Sequence, residues 1–261
     1  MKLKLYQIDA FTDTLFSGNP AAVVILDKFL NQALMQKIAT ENNLSETAFV
    51  IKQNNNFAIR WFTPSIEVDL CGHATLAAAH VLYKYYDCQS DKIIFHSTAS
   101  GILTVRKDDN WLTLDLPVDI YEKIETPQLL LDAFKLNPLE TYKGKTDYLL
   151  IFPNQHAVEA TKPDLNLIKA VGGRGVIISA TGDEVDFISR FFAPQVGVDE
   201  DPVTGSAHTL LTPIWADKLD KNPLTAKQLS QRQGYLKCKY VKDRVEISGK
   251  AVTYLIGEIN L

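Results

Sequence analysis

The chain has 261 residues, of which 46% are hydrophobic and 22% charged, with 13 glycines and 11 prolines. At about 150 residues per domain that length is roughly 1.7 domains, and the composition excludes a disordered or collagen-like polypeptide. A formal net charge of −4 supplies no basic face for a phosphate backbone, so nucleic acid is not an expected partner and a small ligand is. Three scattered cysteines, Cys71, Cys88 and Cys238, make neither a disulfide framework nor a Cys-rich zinc site and point to the reducing cytoplasm.

The first ten residues alternate polar and apolar, which predicts a strand rather than a signal peptide. No apolar run approaches the roughly 20 residues that cross a bilayer, so no membrane partner is expected. Further strands are predicted over 20–26, 47–53, 57–63, 92–98, 101–106, 111–116, 147–152, 174–180, 186–192, 234–241, 243–247 and 252–260. These segments are rich in Val, Ile, Phe, Tyr and Thr and are bounded by turn residues. Apolar spacing predicts helices over 30–42, 72–86 and 205–219, with shorter ones near 127–135 and 163–170. Many strands lie next to one another without an intervening helix, which gives an α+β class with antiparallel or mixed sheets.

An internal repeat organises the chain. Residues 59–69, IRWFTPSIEVD, lie over residues 189–199, SRFFAPQVGVD, at an offset of 130, with Arg, Phe, Pro, Val and Asp matched. After a three-residue insertion Gly72-His73-Ala74 aligns with Gly205-Ser206-Ala207, and each triplet opens an apolar helix. A repeat of this size predicts two similar domains. Their expected extents are 1–122 plus 248–261 and 123–247, because the alternating segment 252–261 reads as a closing strand for the first.

A helix N-terminus leaves about four N–H groups without intrahelical partners and carries partial positive charge. Each glycine-led helix mouth is therefore a candidate anion site, and two related domains facing each other would bring both mouths onto one cleft. A plain turn function for Gly72 and Gly205 is the alternative. Around the mouths stand Asp69, Cys71 and His73, then Asp199, Glu200, Asp201, Thr204, Ser206 and His208. His73 suits proton transfer or donation to a substrate oxygen, or else helix capping. Asp201, held extended by Pro202, can face a ligand or close an Asx turn. Glu46, at the head of an apolar strand, has its charged form disfavoured by desolvation and suits acid/base work; a solvated strand end is the plain reading.

Four segments together resemble the PhzF-like family of phenazine biosynthesis, a relative by fold of diaminopimelate epimerase and proline racemase. They are Asp9-Ala-Phe11 with FSGNPAAVV over 16–24, NLSETA over 43–48, DLCGHAT over 69–75 and EDPVTGSA over 200–207. The resemblance implies two pseudo-symmetric domains, each a strongly curved mixed or antiparallel sheet wrapped around a central helix, with the active site between them. It further implies Glu46 as proton-shuttling acid/base with His73, Asp201 and Ser206 around the substrate. Gly72, Ala74, Gly205 and Ala207 would bind the substrate carboxylate through backbone N–H groups, with Asn19, Cys71 and Thr204 beside it. The implied reaction is an isomerisation without cofactor or metal, moving a carbon-bound proton in a carboxylate like dihydro-hydroxyanthranilate, by a homodimeric enzyme. One departure stands near the C-terminus. Where the family pattern is Gln-x-Ser-x-Arg-Gly-Gly, this chain has Gln228-Leu-Ser-Gln-Arg-Gln-Gly234, with Gln233 in place of a glycine.

Two other readings compete. A two-base racemase would use a cysteine at each helix mouth, but the internal alignment sets Thr204 opposite Cys71, and a hydroxyl is too weak an acid for that role. A non-catalytic carboxylate-binding protein would keep the helix mouths and have no need of Glu46.

Overall fold

A computed structural model describes all 261 residues. The chain forms two compact units, Met1–Asp115 with Ile247–Leu261, and Leu116–Glu246. Unit 1 contains β1 (Lys2–Ala10), β2 (Asn19–Leu26), α1 (Gln32–Asn42), β3 (Glu46–Gln53), β4 (Asn56–Phe62), β5 (Glu67–Val68), α2 (Gly72–Tyr85), β6 (Lys92–Ser97), β7 (Gly101–Asp108) and most of β8 (Trp111–Pro117). Unit 2 contains β9 (Glu122–Ile124), α3 (Gln128–Phe134), β10 (Glu140–Lys143), β11 (Asp147–Ile151), α4 (Gln155–Ala160), α5 (Leu165–Val171), β12 (Gly175–Thr181), β13 (Phe187–Phe192), α6 (His208–Leu219), β14 (Leu224–Gln228), β15 (Gly234–Val241) and the start of β16 (Arg244–Gly249). The final strand, β17 (Ala251–Asn260), returns to unit 1. Both breaks fall inside strands, β8 and β16, so no loop composition marks them. The first lies at Asp115/Leu116, ahead of the expected 122/123.

In unit 1, β17, β1 and β2 are antiparallel neighbours, β2–β3 is parallel, β3–β4 antiparallel, β4–β6 parallel, and β6–β7–β8 antiparallel. Unit 2 repeats the same senses in the same order: β9–β10 and β10–β11 antiparallel, β11–β12 parallel, β12–β13 antiparallel, β13–β14 parallel, β14–β15 antiparallel. The sheets are mixed, and the repeat seen in the sequence is a repeat of topology.

Helix α2 is buried from Gly72 to Ala79 and touches β1, β2, β3, β7 and β17. A helix apolar on all sides needs protein all round it, and Ala74, Ala77, Ala78 and Ala79 are small enough for strands to close in. Helix α6 is likewise buried from His208 to Trp215. Pro213 has no N–H to give to Thr209 in the turn before, and the Thr209 carbonyl instead accepts from the Asp119 N–H at 3.4 Å. Each sheet carries further helices: Met35, Ile38 and Ala39 of α1 cluster with Val24, Phe49 and Phe62, and α3, α4 and α5 cluster with Phe152, Val176, Ile178 and Phe192.

Three expectations are corrected. Helix α6 begins at His208, since Gly205–Ala207 form a tight turn in which the N–H groups of His208, Thr209 and Leu210 bond three residues back. Helix α4 and strands β5, β9, β10 and β14 were not expected; α4 makes less than two turns, β5, β9 and β10 have four residues or fewer, and β14 runs through Ala and Lys, both weak strand formers. The three-residue insertion also comes earlier than the sequence match suggests. Arg60 forks onto Glu67 at 2.6 and 2.7 Å, and Arg190 onto Glu200 at 2.7 and 3.0 Å. Glu67 therefore corresponds to Glu200, and the matches of Val68 with Val198 and Asp69 with Asp199 are coincidental. The extra residues form a 3-10 turn over Pro194–Val196 closed by Gly197 at φ 84°.

Candidate active site

Strand register places Glu46. Helix α1 ends at Asn43 in a left-handed conformation, Asn42 Nδ2 donates to Thr47 Oγ1 at 3.1 Å, and Glu46 then starts β3 beside Ala21 of β2. Asn19 is buried at the head of β2, the strand next to Glu46. Cys71 is the N-cap of α2, without a side-chain capping bond, and His73 lies in the first turn, where Gly72, His73 and Ala74 contribute the N–H groups that a helix leaves unpartnered.

Here Glu46, His73 and Cys71 come together. Glu46 Oε2 is 3.0 Å from His73 Nε2, and Cys71 Sγ is 3.5 Å from His73 Nδ1. The His73 side chain is 6% exposed and that of Glu46 18%. Close as they are, Glu46 Oε2 and His73 Nε2 are not aligned for a hydrogen bond, and neither has another partner. Buried polar atoms are normally satisfied, so this is a pair held ready for a third group.

Burial works against a charged imidazole, but the Cys71 sulfur and the Glu46 carboxylate outweigh it and hold the His73 pKa well above the usual histidine value. Burial, then the Glu46 charge, pushes the Cys71 thiol up to about 11. Near neutrality Cys71 is therefore an uncharged thiol, and the His73 imidazole is set between it and the Glu46 carboxyl group. Donor atoms of the three side chains lie within 4.8 Å of one another. Yet His73 sits between its neighbours, meeting each with a different nitrogen, an arrangement for passing a proton rather than for three ligands on one metal ion.

Unit 2 builds its loop from a different set. Thr204 Oγ1 donates to Asp201 Oδ2. Gln228 closes the loop from below: its Nε2 donates to the Asp201 carbonyl at 2.8 Å and to Thr204 Oγ1 at 3.1 Å, and its Oε1 accepts from the Thr204 N–H at 2.8 Å. Ser230 Oγ donates to the Pro202 carbonyl at 2.8 Å and accepts from the Gln233 N–H at 3.0 Å. Gln228 and Ser230 thus clamp the Asp201–Thr204 loop. Their signal was the Gln-x-Ser pattern itself. Gln233 has φ 56°, the left-handed region in which glycine is unstrained, so the structure accounts for a glycine at this place in the family pattern.

Ser206 Oγ accepts from Arg174 Nη1 at 2.9 Å, a contact not read from the sequence. Gly205 and Ala207 are buried on either side of it. Glu200 is taken up by the Arg190 fork. Asp69 meets Ser100 Oγ through its backbone carbonyl at 2.6 Å. His208 donates Nδ1–H to the Thr204 carbonyl at 2.8 Å and is wholly buried, and burial pushes its pKa down to about 4. These groups shape the loop and the helix.

The family profile for phenazine biosynthesis-like proteins matches residues 8–257. The chain belongs to the PhzC-PhzF family. A relative in Pseudomonas aeruginosa, named an uncharacterized isomerase, is 50% identical over the whole of both chains. The crystal structure of a phenazine biosynthesis protein of the PhzF family from Enterococcus faecalis is 44% identical, covers all of both chains and superposes with a TM-score of 0.97. With full-length relatives named isomerases, this PhzF-family chain is placed in the isomerase class. A hydroxyproline epimerase from Agrobacterium vitis, 11% identical over 99% of this chain and 92% of its own, has a TM-score of 0.64 and shows that the fold is epimerase-like.

Proposed function

We propose that the protein is a cofactor-independent isomerase that moves a carbon-bound proton within a small organic carboxylate. The observation that carries this reading is the buried Glu46–His73 pair, 3.0 Å apart and without aligned partners. The Glu46 carboxylate takes the proton from one carbon, and the C–H electron pair becomes a conjugated enolate. Protonated Glu46 returns the proton to another carbon of the same system, one carboxyl acting first as base and then as acid. Cationic His73 stabilises the negative charge that develops. The N–H groups of Gly72–Ala74, at the positive end of α2, bind the substrate carboxylate. Asp201, Thr204 and Ser206 bind its polar groups, with Gly205 and Ala207 supplying N–H groups beside them. A dihydro-hydroxyanthranilate-like ring is the substrate class we expect. Three free cysteines fit a reducing compartment, and the family resemblance points to a homodimer.

The test is Glu46→Gln, which keeps shape and hydrogen bonding but carries no proton. Turnover, followed as deuterium incorporation at carbon in deuterated water over a panel of cyclic amino and dienyl carboxylates, is expected to fall at least about 10²-fold. Near-normal exchange in that variant would show that another group carries the proton. Two-base racemisation is disfavoured by Cys71 itself, whose thiol, pushed up to about 11, is a poor base near neutrality.

A further inference from the structure

The two units are not equivalent where it matters for proton transfer. In unit 1 the register partner of Glu46 on β2 is Ala21, and the next residue, Thr47, faces Phe62. In unit 2 Gly175 holds the same place, since its partner on β11 is Asp147 and the next residue, Val176, faces Phe192. A Cβ at Gly175 would lie 2.5 Å from Phe191 Cζ and 2.8 Å from the Phe192 carbonyl oxygen. No acidic side chain fits there.

What stands there instead is a guanidinium. The Gly172-Gly173 turn, with φ 80° at both residues, delivers Arg174, whose N–H bonds the Thr146 carbonyl at 2.7 Å. The Arg174 side chain forks onto Asp147, with Nε 2.9 Å from Oδ1 and Nη2 on Oδ2, and lies 5.2 Å from the centre of the Phe191 ring. Asp147 is 3% exposed. Two of the guanidinium nitrogens are thus fixed by a buried carboxylate, and the third, Nη1, donates to Ser206 Oγ at 2.9 Å.

Arginine has donors only. Ser206 Oγ must therefore act as an acceptor towards Arg174, which leaves its own O–H to point away from the guanidinium, polarised by the adjacent cation. We propose that Arg174, locked by Asp147, is a positioning residue that turns the Ser206 O–H outward as a hydrogen-bond donor selective for an anionic oxygen of the ligand. The inference rests on the reading of Ser206 as a ligand contact. In place of a second acid, unit 2 then contributes a fixed, cation-backed donor.

The test uses the full chain and two probes that differ in one group, 2-aminobenzoate and its neutral amide, 2-aminobenzamide, with affinities measured calorimetrically. The variants are Arg174→Gln, the paired Arg174→Gln/Asp147→Asn, Ser206→Ala, and the combination of Ser206→Ala with the pair. The paired variant leaves no buried carboxylate uncompensated and keeps the test open if Arg174→Gln alone does not fold. The expected result is a preference for carboxylate over amide that falls about tenfold in the paired variant and about tenfold in Ser206→Ala, with no further fall when they are combined. A purely structural role for Arg174 would lower both affinities alike and leave their ratio unchanged, which overturns the proposal. Independent losses that multiply in the combined variant overturn it too, while Ser206 remains a ligand contact. If Ser206→Ala leaves both affinities unchanged, the reading of Ser206 fails and takes the proposal with it, though Glu46 remains testable by its own exchange assay.

Discussion

Two buried histidines and one half-buried histidine in this chain answer pH in opposite directions, each according to what faces it. His73 meets the Glu46 carboxylate and Cys71, and its pKa is held well above the usual value. The stability it contributes is present below the unfolded pKa near 6.5 and is lost as pH rises through the folded value; the imidazolium on which the proposed mechanism relies is lost over the same range. Activity is therefore expected to decline on the alkaline side. His208 faces only the Thr204 carbonyl and apolar packing, and His80, beside Thr253 Oγ1, is desolvated and lies near the charges of Lys84 and Lys107; both are pushed down to about 4. In the unfolded chain they bind protons below about 6.5, so stability falls as pH drops from there towards 4, by about 2–3 kcal/mol for each histidine. Denaturant titrations at pH 7 and pH 4.5 check this. His208→Gln should flatten the acid slope, and a slope unchanged in that variant would assign the acid loss elsewhere. The histidine at the α2 mouth was legible in the sequence because a glycine-led helix start is a local signal. Neither its orientation between Glu46 and Cys71 nor the burial of His208 was legible, because both depend on strands distant in the chain.

The Arg-x-Phe units on β4 and β13 show how one local motif can serve unequal loads. Arg60 forks onto Glu67 and lies over the Phe62 ring at 5.3 Å. Arg190 forks onto Glu200, lies over Phe192 at 4.9 Å, and also donates to the carbonyls of Val158 and Thr161 at 3.0 and 2.7 Å, so it ties the end of α4 to the sheet. Arg190→Ala also leaves the Thr161 carbonyl without its donor and the Val158 carbonyl with the Thr161 N–H alone. It is expected to cost about 1–3 kcal/mol more than Arg60→Ala in chemical denaturation, and equal losses would show that α4 does not depend on the arginine. The sequence revealed the arginines as a repeated pair, yet the acids they bind could not be matched, since the insertion that separates Glu200 from Arg190 is visible only through the forks themselves. Long strands and the helices α1, α2 and α6 were legible from their periods. Short elements such as α4 and β14 were not: six residues make less than two helical turns, and β14 alternates through Ala and Lys, both weak strand formers.

At the scale of the whole molecule, unit 1 is closed by a strand from the far end of the chain. β17 pairs with β1 from Lys2↔Asn260 to Ala10↔Ala251, and Thr253 Oγ1 accepts from Tyr85 Oη at 2.9 Å and meets His80 Nε2 at 3.0 Å. A chain ending at Lys250 should lose amide protection throughout β1, β2 and α2, while β11 and β12 of unit 2 keep theirs. Equal loss in both units would mean that they unfold as one. That two similar units exist was legible from the repeat, but where they divide was not, because β8 and β16 cross the boundary as unbroken strands. The Phe191 ring beside Gly175 closes unit 2 to a second acid. Placing one at residue 175 takes two simultaneous changes, each harmful alone: the acid would collide with the ring, and shrinking the ring would open a void and remove the surface under Arg174. The two halves are thus locked into unequal tasks, because no single substitution gives this fold two interchangeable acids.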